Sequence, residues 1–144
     1  MSTRARVAAG ALLAASLFGC ASTHRHRDCA RLGEVLAPRL SKARALEQGN
    51  TDEAKAAATL SAVGDVYAQL AADLEHADLD DNQCSYIGLE YLRTAGELAT
   101  RYHALATAVE AGDEPAAKLA IKGLEDARVP EKRALLRLSE ACAR

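Results

Sequence analysis

Tryptophan is absent from this 144-residue chain, and aromatic residues make up only 3% of it: Phe18 and four tyrosines. So few rings cannot build a stacking platform for single-stranded nucleic acid. The net charge of −2 supplies no basic face for a duplex, and no nucleic-acid partner is expected. Methionine occurs only at position 1, and there is no Cys-x-x-Cys-His run, which excludes a methionine-ligated or covalently attached haem. No segment alternates with period two for long enough to form a strand. Nor does any apolar run reach the roughly 20 residues that a bilayer span requires.

The longest apolar run, Val7 to Phe18, follows Arg4 and Arg6 and carries no charge. As a helix its 12 residues would reach about 18 Å, against a hydrocarbon core of about 30 Å. A basic start and a short apolar run make the two-part build of a secretory signal. The run ends in Leu17, Phe18, Gly19 and Cys20, which resembles the bacterial lipobox: an aliphatic residue, a variable one, a small one and the cysteine. The resemblance implies cleavage before Cys20, lipidation of its sulfur and acylation of its new amino terminus. Phe18 departs from the small residue usual at that place. Two alternatives are an ordinary signal cut after Ala21, at Gly19-Cys20-Ala21, and an uncleaved signal anchor. Ala21 does not resemble an inner-membrane retention signal, so the outer membrane is expected rather than the inner, with the protein facing the periplasm.

The expected organisation is a signal peptide over 1–19, a polar tether over 20–27 and one domain over 28–144. Without Arg4 and Arg6 the 18 basic residues become 16 against 20 acidic ones, a balance of −4. In the tether His24 and His26 alternate with Arg25 and Arg27; this reads as a solvated basic arm near anionic headgroups rather than as a metal site.

Beyond the tether, four stretches carry helical spacing. Leu32, Val35, Leu36, Leu40, Ala43 and Leu46 predict a helix from about Asp28 to Glu47, bent at Pro38 or starting after Ala37. Ala56, Leu60, Val63, Tyr67, Leu70, Leu74 and Ala77 mark a second, capped by Asn50 or Thr51 with Asp52 and Glu53 in its first turn. A third runs through Cys84, Ile87, Tyr91, Ala95, Leu98, Tyr102, Leu105 and Val109, and Gly112 ends it. The fourth begins at Asp113-Glu114-Pro115, carries Ala117, Ile121 and Leu124, and resumes after a break or kink at Pro130 with Leu135, Leu138 and Cys142. Short connections force antiparallel neighbours, so the fold class is all-α, an up-down-up-down antiparallel four-helix bundle. A tetratricopeptide array is disfavoured, because VGDVY and IGLEY lie 24 residues apart instead of 34.

If Cys20 is lipidated, Cys29, Cys84 and Cys142 remain, an odd number for an oxidising compartment. The bundle places all three near one end. Helix four neighbours both helix one and helix three, so Cys142 is the common partner: Cys29 with Cys142 is the first expectation and Cys84 with Cys142 the alternative. A three-cysteine metal site lacks a close pair, and Asp78, Asp80 and Asp81 lack the glycine and glutamate of a calcium loop. His76 and His103 are not expected to meet, and no serine has an evident His and Asp companion.

No catalytic residue, metal ligand or cofactor is therefore nominated. The mature part resembles small alanine-rich helical lipoproteins of high-GC Gram-negative envelopes. That resemblance implies a non-enzymatic interaction or scaffolding domain, with the membrane as one partner through the lipid and an envelope protein as another. The alternative is a small-ligand or metal binding protein with its ligand between the helices, for which a cavity lined by Tyr67, Tyr91 and Tyr102 would argue.

Overall fold

The computed structural model describes residues 8–49 and 52–144, with the side chains of 23–49 and 52–144. Four helices follow one another: α1 (Ala8–Gly49), α2 (Ala56–Glu75), α3 (Asn82–Glu110) and α4 (Glu114–Cys142). There is no strand among the described residues. The helices pack as an antiparallel four-helix bundle in which α2/α3 and α3/α4 are the closest pairs. Alanines make that approach possible, since Ala95 and Ala99 on α3 and Ala127 and Ala134 on α4 are all buried. The first helix lies nearest α2 and meets α3 and α4 over much less of its length.

Each turn stops or starts a helix by a local device. Gly112 adopts φ 65°, a conformation open to glycine at little cost, and lets its N–H reach Val109 O (3.1 Å) while Asp113 N–H reaches Ala108 O (2.9 Å). Together these bonds close α3 as a Schellman motif. One residue later the Asp113 carboxylate accepts from Ala116 N (3.0 Å) and caps α4, with Pro115 in the first turn where no amide is needed. Asp81 caps α3, accepting from Gln83 N and Cys84 N at 3.0 Å each.

Four local expectations need correction. Residues 20–27, expected as a tether, are helical and continuous with α1, and Arg25 and Arg27 are held by the α2–α3 turn. Asp52 caps a short 3-10 turn, Glu53–Lys55, accepting from Ala54 N (3.0 Å), and α2 starts only at Ala56; Asn50 and Thr51 lie outside the described residues. Pro38 and Pro130 both sit inside continuous helices, so α1 does not start after Ala37 and α4 does not break at Pro130. The carbonyls they leave unbonded, those of Glu34 and Asp126, belong to exposed residues, where water can take the bond. Buried Leu32 and Leu36 hold α1 ahead of Pro38, and Ala127 and Ala134 hold α4 on either side of Pro130.

The fourth correction concerns the face of α4. Ile121, expected in its core stripe, is 46% exposed. The buried stripe runs instead through Ala120, Leu124, Ala127, Glu131, Ala134 and Ala141, at steps of three, four and seven. This rotation puts a carboxylate into the middle of the bundle.

Candidate functional site

The two ends of the domain meet at one end of the bundle, where Cys29 on α1 and Cys142 on α4 form a disulfide with Sγ–Sγ 2.07 Å and Cα–Cα 5.7 Å. The sequence separation is 113 residues. Cys84, at the start of α3, is a free thiol with no exposure. Burial pushes it up to about 11, with the Asp81 and Asp28 charges adding to the effect. A thiol so held is protonated and inert.

Around the disulfide α1 grips the α2–α3 turn. Asp28 has no exposure, and its Oδ2 accepts from Asp80 N and Asp81 N at 2.7 Å each. Arg25 Nε lies 3.4 Å from Asp81 Oδ2, Arg27 pairs with Asp80, and the Arg31 guanidinium donates to Asp78 O. Burial opposes the charge of Asp81, yet the Cys84 amide and Arg25 hold its carboxyl below the usual range. The Asp80 and Asp81 carboxylates thus bond to α1, and that of Asp81 also to the start of α3. Among the described residues no group of three or more His, Cys, Asp or Glu is placed to hold a metal ion.

A second cluster fills the middle of the bundle. Glu131, only 5% exposed, accepts at Oε1 from Tyr67 OH and Tyr91 OH, both at 3.0 Å. Arg128 donates to Glu131 Oε2 (3.3 Å), to Glu47 Oε1 (2.6 Å) and to Tyr102 OH, which itself donates to Glu47. The rings of Tyr67 and Tyr102 stack at 5.7 Å, and the guanidinium of Arg128 stands 5.8 Å from the Tyr102 centroid. Burial raises all three phenols well above their ordinary value; the Glu131 charge adds to this for Tyr67 and Tyr91, and the Glu47 hydrogen bond for Tyr102. Arg128 is raised too, because the surrounding phenols and carboxylates outweigh its desolvation.

All four helices contribute to this network, and the space between the three tyrosines is taken by Glu131 and Arg128. Sequence reading flagged the tyrosines but missed Glu131, Arg128 and Glu47. One signal was present: Glu131 falls in register with Leu124, Ala127 and Ala134, and a charged residue in a core register demands a partner.

His103 bonds Asp65 Oδ1 through Nε2 at 2.9 Å, while His76 Nδ1 bonds Ala72 O at 2.8 Å, so each histidine is held by its own partner. His24, from the tether reading, sits near Arg27 and Asp80. The side chain of Cys20, the expected lipidation site, lies outside the described residues, as does the start of the signal. Among the described residues no helix is long and apolar enough to cross a membrane. No family model matches the chain, and neither a curated protein nor a solved structure matches it.

Proposed function

We propose that the chain is a lipid-anchored protein of the bacterial cell envelope, attached through Cys20 and facing the periplasm from the outer membrane. Its bundle acts as a non-enzymatic interaction or scaffolding module. The observation that carries this reading is the order of the N-terminus: Arg4 and Arg6, an uncharged run, then Leu17-Phe18-Gly19-Cys20. A disulfide between the domain ends suits an oxidising compartment. Exposed Leu119, Val129 and Leu136 on α4 suit a surface that meets another protein. The alternative of a ligand between the helices draws no support from the middle of the bundle, where Glu131 and Arg128 occupy the space that the tyrosines would line.

Changing Cys20→Ser tests the anchor. The wild type should take up labelled palmitate and sediment with membranes, and the variant should do neither. A variant that still sediments, at unchanged mass, would sink the reading.

A further inference from the structure

We propose that the Cys29–Cys142 disulfide is a thiol–disulfide exchange site, opened by an anionic thiolate that enters the cleft walled by Arg25, His26 and Arg144. Three observations converge on it. Cys142 is exposed and Cys29 half-buried, and both sulfurs' residues line a cavity of about 410 Å³. Arg25, Arg144 and His26 line the same cavity, and no acidic side chain does. Arg25 shares its charge with Asp81, whereas the Arg144 side chain carries no ion pair among the described residues. Finally, Cys84 is buried and protonated, so it does not compete for the bond.

Access and local positive charge are the two conditions that make a disulfide exchangeable, since the attacking and leaving sulfurs both carry negative charge. The incoming thiolate attacks Sγ of Cys142, forming a mixed disulfide, and the Sγ–Sγ bond breaks with its electron pair leaving on Cys29. A second thiolate attacks the outer sulfur of the mixed disulfide and releases the small-molecule disulfide, leaving Cys142 as thiolate. Both cysteine thiolates then take protons from water, and two electrons have passed from two thiols to the protein. The last carbonyls of α4 lie at the same end and oppose the guanidinium field in part, so the effect is read as a preference between thiols. This inference does not depend on the envelope reading.

The test uses the oxidised full-length chain and three reductants at equal thiolate concentration: 2-mercaptoethanesulfonate, 2-mercaptoethanol and cysteamine. Each rate is divided by that on a small uncharged disulfide, and free Cys29 and Cys142 are counted by alkylation and peptide mass. The anionic thiol should react about tenfold faster than the cationic one at low ionic strength, and salt near 0.5 M should erase most of the difference. The variant H26Q/R144Q should bring the ratio close to one without salt. Arg144→Gln alone and the salt series on the wild type serve if the double variant fails to fold. Equal normalised rates for all three thiols would overturn the proposal. So would reduction that proceeds only as fast as global unfolding, measured by hydrogen exchange.

Discussion

Two clasps hold α1 against α4, one at each end of their shared seam, and they work by opposite physics. Cys29–Cys142 is covalent and open to solvent. It acts mainly by restricting the unfolded chain, to a degree that grows with the long loop it closes. Glu47–Arg128 is ionic and half-buried, and it continues inward through Tyr102 to Glu131. Its worth depends on every polar member being satisfied. Because α1 packs chiefly on α2 and touches α4 so sparingly elsewhere, these two clasps decide how firmly α1 and α4 close the fourth side of the bundle.

The largest expected effect comes from the covalent clasp. Cys29→Ser with Cys142→Ser should lower stability by about 4 to 5 kcal/mol, read from denaturant midpoints, with helicity retained at 25 °C. Glu131→Ala should follow at about 3 to 5 kcal/mol, because it strands two buried hydroxyls and part of a guanidinium; Glu131→Gln should lose less. If the clasps are independent, adding Glu47→Gln to the double serine variant should give additive losses within about 0.5 kcal/mol. A marked departure would show that the two ends of α1 act as one unit.

Alkaline pH separates the clasps by mechanism. The buried thiol and phenols have folded values raised above the ordinary 9.0 and 10.0. Their contribution is therefore complete below those values and is lost as pH rises beyond them. The melting temperature should fall from about pH 9 upward, with tyrosinate absorbance of the three core rings appearing together with loss of helical ellipticity. The double serine variant should show the same slope from a lower start. Two smaller effects mark the ends of helices. Asp28→Ala leaves two amides of the α2–α3 turn unpaired and should cost about 2 kcal/mol, and Asp113→Ala removes a cap worth about 1 kcal/mol.

The bundle was legible because alanine, leucine and the caps set helix number and direction: Gly112 and Asp113 turned the chain where their conformational preferences required. What escaped was rotation and continuity. An apolar-only stripe chose Ile121 for the core of α4, although the true seam is mostly alanine, with little hydrophobic contrast to show its phase, and contains Glu131. A start after Ala37 and a break at Pro130 stood beside a bend and a kink as readings because a local rule counts the missing hydrogen bond and cannot count the packing that keeps the helix intact. The tether was read from composition alone, and its arginines find their acids more than 50 residues away in sequence, at Asp80 and Asp81.

That last pairing bears on how the domain would stand. A free arm of eight residues would let the bundle wander over roughly 15 Å in any direction. With Arg25 and Arg27 locked onto the α2–α3 turn, only Ala21 and Ser22 separate Cys20 from a stretch that is part of the body. A chain anchored at Cys20 would then keep the disulfide end of its bundle close to the bilayer. A partner bound beside Gly112, at the other end of the helices, would then stand farther from the lipid than one bound beside the disulfide.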